Sequence, residues 1–581
     1  MSAVEEFSNS DRQLASVLQR RFGSPTDSSL MPWIVMTLAR AVREDHVALD
    51  LHHLVTETSA DPSPSRGSVE AIIDELRVSP GFCEFLGRDD DVTVAGPPLV
   101  VLDERYLYFR RLAAAERRVA QALRTSRMSI IEAPAGLTGT VVDAALERVR
   151  GELASVGQTS PELERVVTTM LTRSVSFITG GPGTGKTWIV TQALHALDAA
   201  LTTSRSAGTT VSFVIAAPTG KAATRVAESI SATMAGEPFL TLVRDVDREG
   251  SLHHVLGVRP DRLNSAQPLT HDLVIVDEAS MADLPMIDLL IRTAQANVER
   301  PCRIVFVGDP RQLASVNVGA VLADAVDPVA GIEDLVTRLR VAHRFGGERL
   351  VDLARSIDEG DGDTVTGLLS ADEGELRHVD DADTPHLVDQ VVRHASRLAA
   401  LAANGDELAA MSTLHELTVL CANREGPGSV AWWNDRVRAE VMREFPLVRG
   451  ERFGVGEPVL VTRNQRSLGL NNGDVGVVIE VDGERVVVFD ATRRHSLSAI
   501  GYVETAWAMT IHKSQGSEYD HVVVVLPRRQ SPLLTRELFY TGVTRAKSGV
   551  TVVGQLDTVR EAISREIDRV SGLTYRLRGD V

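Results

Sequence analysis

The sequence predicts an α/β protein. Two parallel, doubly wound sheets stand in series, a small β-barrel is inserted in the second, and an α-rich unit precedes the first. Three observations carry this. From residue 175 onward, short apolar runs alternate with amphipathic segments, the pattern of strands covered by helices on both faces. A second set of such strands resumes after residue 415, beyond the reach of one ordinary domain. Dense polar stretches follow strands in both halves, and the chemistry of open α/β sheets gathers at strand C-terminal ends.

Residues 1–115 form the α-rich unit, because "RQLASVLQRRF" and "IVMTLARAVRED" space their apolar residues for helices before a linker-like "TSADPSPSRGS". The first core spans 116–345, entered through the helical "AALERVR" at 144–150 and carrying the strands "VSFIT", "VSFVIAAP", "LVIVDEAS" and "RIVFVGDP". The second core spans 346–581 with "LTVLCANR", "HVVVVLP" and "GVTVVG". Within it, "GEPVLVTRN" and "GDVGVVIEVDGERVVVF" have the strand-and-turn rhythm of a small barrel at about 450–505. No repeat of solenoid period is visible.

The 581 residues contain 43% apolar side chains, the share of an ordinary globular chain. No apolar run is long enough for a bilayer, and "MSAVEEFSNSDRQ" is no signal peptide. Three scattered cysteines (Cys83, Cys302, Cys421) suggest neither a disulfide framework nor a zinc site. The expectation is a cytoplasmic protein with no membrane partner. A net charge of −18 excludes a protein that coats nucleic acid with its whole surface, but permits a local basic groove. Residues 508–550 hold six Lys or Arg against three Asp or Glu, whereas acids gather in "DEGDGD" and "HVDDADTP".

Only four of the 61 basic residues are lysines: Lys186, Lys221, Lys513 and Lys547. All four fall in the polar stretches taken up below. A compact ammonium is required where a planar guanidinium cannot fit.

Residues 180–187, "GGPGTGKT", follow the strand "SVSFIT" and precede the helix "TWIVTQALHAL". This is a phosphate-binding loop. The backbone of Gly180, Gly181, Pro182, Gly183, Thr184 and Gly185 would turn its N–H groups onto phosphates at a helix N-terminus. Lys186 would bridge the β- and γ-phosphates of ATP, and Thr187 would ligate Mg²⁺. A glycine-rich turn without a ligand is the alternative, which the strand–loop–helix context disfavours. In "LVIVDEAS", Asp277 suits a water-bridged Mg²⁺ and Glu278 a base that orients the attacking water. Gln312, just past "RIVFVGDP", could touch both γ-phosphate and water, or could be a solvated turn glutamine. Arg344 in "RVAHRF" and Arg545 in "YTGVTRAK" could reach a γ-phosphate from a neighbouring domain, or could form ordinary interdomain ion pairs. Trp432, Trp433 and Trp507 are candidate base-stacking platforms, with core packing the commoner fate of tryptophan.

The ordered set "GGPGTGKT", "APTGKAATR", "SLHHVLG", "IVDEASM", "GDPRQLASVNVGAVL", "VAHRF", "CANREGPGSV", "TRNQRSLGLNNGDVGVV", "AMTIHKSQGSEYD" and "LFYTGVTRAK" resembles the RecD-like branch of superfamily 1 helicases from about 170 to 550. "AVREDHVALDL" looks like that family's N-terminal unit. The resemblance implies two RecA-like motor domains and ATP-driven 5′-to-3′ translocation on single-stranded DNA. It implies a helicase motor subunit that docks on RecB- and RecC-like subunits, acting on duplex ends in double-strand-break repair and recombination. It also implies DNA contacts from Pro218, Thr219, Lys221, Asn317, Asn464, Thr510, His512, Lys513 and Ser514, and nucleotide sensing by Gln515, Gly516 and Glu518. The family usually places an adenine-reading glutamine ahead of the first strand; here "PELERVV" stands there and Gln158 lies several residues too early. No lysine has a glutamate two residues before it, so no RecB-type nuclease centre is expected. Two alternatives remain: a stand-alone RecD-like helicase, whose usual helix-hairpin-helix signature is not seen in 1–115, and a structural subunit with a decayed ATPase, against which the intact motif set speaks.

Overall fold

The computed structural model describes residues 7–22, 30–53, 69–129, 139–155, 160–203, 212–223, 250–258, 268–297, 301–315, 317–340, 347–371, 373–380, 384–446, 452–481, 483–527 and 531–578. In the N-terminal unit, helices Asn9–Phe22, Met31–Arg43 and Val69–Arg77 follow their apolar spacing, and Ile34, Leu38 and Ala41 are buried on one face. The unit is less helical than its sequence suggests. A mixed sheet joins β1 (Leu49–Asp50), β2 (Cys83–Leu86), β3 (Leu99–Leu102) and β4 (Tyr106–Phe109) in the order β1-β4-β3-β2. These strands are two to four residues long. Too little alternation develops over such lengths to announce a strand.

Helix Arg110–Met128 carries the chain into the first core and packs along helix Leu284–Gln295. There the Arg118 guanidinium forks onto both oxygens of buried Asp288 at 2.6 and 2.8 Å. The first core is a sheet of β5 (Val175–Gly180), β6 (Phe213–Ala217), β7 (Gly250–Ser251), β8 (Leu273–Val276), β9 (Arg303–Gly308) and β10 (Val336–Leu339). The order is β10-β5-β9-β8-β6-β7, every pair parallel. Apolar clusters cover both faces, which is why β8 and β9 read as unbroken apolar runs rather than alternating ones.

The second core holds β11 (Leu376–Val379) and β12 (Leu417–Cys421), then an excursion through β13 (Pro458–Val461), β14 (Val475–Val481), β15 (Glu484–Val488), β16 (Arg494–Ser496) and β17 (Val503–Thr505). It resumes with β18 (Ala508–Thr510), β19 (Tyr519–Val525) and β20 (Ala546–Val553). The core sheet is all parallel, ordered β11-β20-β19-β12-β18. The excursion is a five-stranded antiparallel sheet, β16-β15-β14-β13-β17, with its own apolar centre around Val459, Val478 and Val487. Its end strands β16 and β17 do not pair with one another among the described residues, so the ladder is open.

The inserted sheet sits against helix Thr384–Ala403, and the backbone at Gly456 approaches that helix closely. Gly456 has φ +78, and a Cβ there would collide with the backbone of Ala399. Gly456→Ala is expected to cost about 2–4 kcal/mol, from left-handed strain plus overpacking. Urea unfolding of the full chain checks this; an unchanged midpoint would rule out the close approach.

Candidate nucleotide and nucleic-acid site between the two cores

The phosphate loop leaves β5 at Gly180 and enters helix Lys186–Thr203. Gly183 and Gly185 have φ +70 and +79, conformations closed to most side chains, and they let the backbone fold into a cradle. A Cβ on Gly180 would press on Thr184 Oγ1 at 2.6 Å and on the Leu339 carbonyl at 2.9 Å. The Lys186 ammonium donates to the carbonyls of Gly180 (2.8 Å) and Gly181 (2.9 Å) inside that cradle. Thr187 is half-buried on the first helical turn, and Pro182 and Thr184 line the loop, with Thr184 donating to Gly181 O at 2.8 Å.

Asp277 and Glu278 follow β8, two strands from the phosphate loop, and both are half-buried. The Glu278 amide donates to Asp277 Oδ1 at 2.9 Å. Glu278 is left-handed (φ 51, ψ 40), a turn that costs a residue with a Cβ about 1–3 kcal/mol.

The two cores meet at the loop after β9. Gln312 is buried, and its side-chain oxygen accepts from Arg545 Nη2 of the second core at 2.6 Å, while its amide lies 3.3 Å from Asp309 Oδ2. Arg545 is 4% exposed and also bonds the carbonyls of Thr541 (3.3 Å) and Ser517 (3.4 Å). Asp309 takes a further hydrogen bond from the Tyr540 hydroxyl at 3.1 Å, and that hydroxyl lies 3.2 Å from where a Cβ on Gly181 would stand. Burial pushes the Asp309 carboxyl above its ordinary range, against the opposing charge of Lys186 and the Arg311 amide. The Leu313 backbone is pinned from both directions, its amide by Thr541 Oγ1 (2.9 Å) and its carbonyl by Gln515 Nε2 (3.1 Å). Gly516 lies against Ala222 of the first core, and Glu518 is exposed. Asp309, Tyr540, Thr541 and Ser517 were missed by the sequence reading, although each lies inside a quoted motif. The signal available was the strand-terminal aspartate of "GDPRQ" and the helical spacing of "LFYTGVTR".

Several of the expected DNA residues are engaged within the protein. Ser514 is fully buried and donates to Ile511 O at 2.7 Å; Thr510 is buried and caps the Lys513 amide at 3.3 Å. Their hydroxyls shape the turn Ile511–Ser514, because a buried helix start has to be satisfied. Lys513 pairs with Glu504, and Lys221 donates to Gly473 O (2.7 Å) and Ser517 Oγ (2.6 Å). Thr219 and Pro218 are half-buried beyond β6; Asn317 and Asn464 are exposed, Asn317 donating to Asp283 at 2.8 Å and Asn464 accepting from Asn472 N at 2.7 Å. His512 is half-buried, and burial lowers its pKa together with the charges of Arg424 and Arg569. Trp433 and Trp507 are core residues at 0% and 7% exposure, so neither is a stacking platform. Arg344 and Gln158 lie outside the described residues.

A phosphate loop, an acidic strand end and an arginine delivered from a second parallel core define a two-core P-loop motor. Residues 158–381 match the family described as AAA domain, and 505–553 match the UvrD-like helicase C-terminal domain. The chain is 39% identical over 560 residues to the RecBCD enzyme subunit RecD of Mycobacterium tuberculosis, covering 94% of this chain and 90% of that one. It is 27% identical over 539 residues to the ATP-dependent RecD2 DNA helicase of Deinococcus radiodurans, covering 89% and 66% respectively. A crystal structure of Pif1 helicase from Bacteroides with ADP-AlF3 and ssDNA superposes at a TM-score of 0.40, with 17% identity over 68% of this chain and 92% of that one. The chain belongs to the RecD family and is an ATP-dependent DNA helicase.

Tyr540→Phe leaves buried Asp309 Oδ2 with the Gln312 amide alone. The expected cost is about 0.5–3 kcal/mol, the span from a neutral hydrogen bond to one on a charged group. It should be read as a lower urea midpoint with an unchanged slope.

Proposed function

We propose that this chain is the 5′-to-3′ motor subunit of a RecBCD-type helicase–nuclease. In this reading it moves on single-stranded DNA from a duplex end, beside RecB- and RecC-like subunits, in double-strand-break repair and recombination. The observation that carries the motor mechanism is the bond between Gln312 of one core and Arg545 of the other, beside the phosphate loop. The loop amides and Lys186 hold the triphosphate, and Lys186 turns from the Gly180 and Gly181 carbonyls to phosphate oxygens as it binds. Thr187 and Asp277 would hold the metal, in keeping with their hard oxygen donors, and Mg²⁺ supplies charge neutralisation on the phosphates. Glu278 orients the lytic water and takes its proton. Gln312 is set by Arg545 to face water and γ-phosphate, and Arg545, with Arg344, offsets charge developing in the transition state.

Nucleotide state reaches the DNA side through Gln515, Gly516 and Glu518. The strand is gripped from the first core by Pro218, Thr219, Lys221 and Asn317, and from the second by His512 and Lys513 with Asn464 of the inserted sheet. Because Lys221 spans to Gly473 and Ser517, closing the cores shifts one grip against the other. Phosphate contacts of this kind hold DNA without reading its sequence. No helix among the described residues is long and apolar enough to cross a membrane, which suits a cytoplasmic enzyme.

A stand-alone helicase is the second reading, favoured by the Deinococcus relative. That match leaves about a third of the relative uncovered and is the weaker of the two, which supports the subunit reading.

Lys186→Gln is expected to abolish DNA-stimulated ATP hydrolysis with the fold intact by circular dichroism; unaltered turnover would refute the phosphate-loop assignment. On tailed duplexes, unwinding should require a 5′ tail, and stimulation by single-stranded DNA should weaken as salt rises. Unwinding from 3′ tails alone would overturn the polarity, and a monodisperse, processive enzyme without partners would favour the second reading.

A further inference from the structure

Arg569 lies in none of the motifs. It follows helix Leu556–Ser564, on the segment that leaves the second core and returns to the N-terminal unit. There the Val570 carbonyl accepts from the amides of Val47 (2.9 Å) and Ala48 (3.2 Å), and the Val570 amide donates to His46 Nδ1 at 2.9 Å. Two residues on, the Gly572 amide donates to buried Glu116 at 3.1 Å. The backbone directly after Arg569 is therefore fixed.

The guanidinium is spent almost entirely on one loop. Nη1 donates to Gly319 O (3.0 Å), Asn317 O (3.1 Å) and Ser315 Oγ (3.3 Å); Nη2 donates to Ser315 O (2.6 Å) and to Asp45 Oδ2 (3.3 Å). That loop begins three residues after Gln312 and carries Asn317. Gln312 itself is held at the nucleotide end by Arg545 and Asp309. The loop is thus clamped at two points, one at the nucleotide and one at the proposed DNA face. Arg569 is also near enough to His512 of the second core to oppose that ring's protonation, next to burial and Arg424. A fork with five donors suits this set of divergent acceptors, of which an ammonium could reach only some.

We infer that Arg569 is a positioning residue that holds Ser315, Asn317 and Gly319 so that engagement of single-stranded DNA is transmitted to Gln312 at the nucleotide. This rests on the helicase reading above, and deepens it by assigning how the two ends of one loop are coupled. The residue bonds none of the side chains proposed to hold the nucleotide, and it meets the proposed DNA contact Asn317 only at its backbone carbonyl, so it acts by placing the loop.

The test uses the full chain, with its partners where these are needed for activity. ATP turnover is measured with and without an oligo-dT strand, and DNA affinity at several salt concentrations, for Arg569→Ala, Arg569→Lys and Tyr575→Phe. The last severs only the Tyr575 hydroxyl bond to Asp103 (2.6 Å) further along the same segment. Arg569→Ala is expected to keep DNA-free turnover and the KM for ATP while losing roughly 3- to 30-fold of DNA stimulation, the range of mutations that alter coupling. Arg569→Lys should recover part of it, and Tyr575→Phe should behave as wild type. Should the alanine variant not fold, the lysine variant carries the same comparison. Stimulation equal to wild type, or DNA-free turnover falling in proportion, overturns the proposal. So does a fall of about 0.7 in the salt slope, which marks a direct phosphate contact. A wild-type chain with no DNA stimulation would instead defeat the helicase reading.

Discussion

The structure depends on a buried guanidinium that one core alone does not satisfy. Arg545 has its charge in the interior, and among the described residues the second core offers it the Thr541 and Ser517 carbonyls at long range. Its shortest bond, 2.6 Å, is to Gln312 of the first core, 233 residues earlier. A charge in such a place is costly unless hydrogen-bonded. The two sheets must therefore meet along this polar layer, which also contains Asp309, Tyr540 and the Leu313–Thr541 bond. Gly181 borders the same layer at the Tyr540 hydroxyl.

The scarcity of lysine gains a physical account from these contacts. Lys186 fits between two carbonyls of its own loop, and Lys221 sits between Gly473 of the inserted sheet and Ser517 of the second core. Lys513 closes on Glu504. Each site accepts a compact ammonium at the end of a flexible stem, where a planar fork would need wider spacing. Lys547, by contrast, is exposed, and nothing in the structure explains its retention.

The segment 565–578 binds the molecule together across the greatest sequence distance. Buried Arg576 pairs with buried Glu116 at 3.5 Å, and Ser571 donates to Asp324 at 2.6 Å. Burial raises the Asp324 carboxyl to about 7, Glu116 and Asp327 adding repulsion while the Ser571 hydrogen bond pulls it down. Stranding such groups would be costly, so the segment is held on the N-terminal unit and the first core. Through Arg569 the same segment reaches Ser315, Asn317 and Gly319 of the first core.

The sequence by itself determined what depends on local order. The phosphate loop, the strand-end carboxylates of Asp277 and Glu278, the parallel strands of both cores and the inserted antiparallel strands are all written in short windows, because periodicity and turn chemistry act between near neighbours. Only the tertiary structure decided the strands of the first 115 residues, which are too short to carry a period. It also decided the inward turn of Thr510 and Ser514, the Tyr540–Asp309 contact and the reach of Arg569. Those depend on which distant groups share a buried volume, and a buried polar atom is satisfied by whatever the fold brings to it.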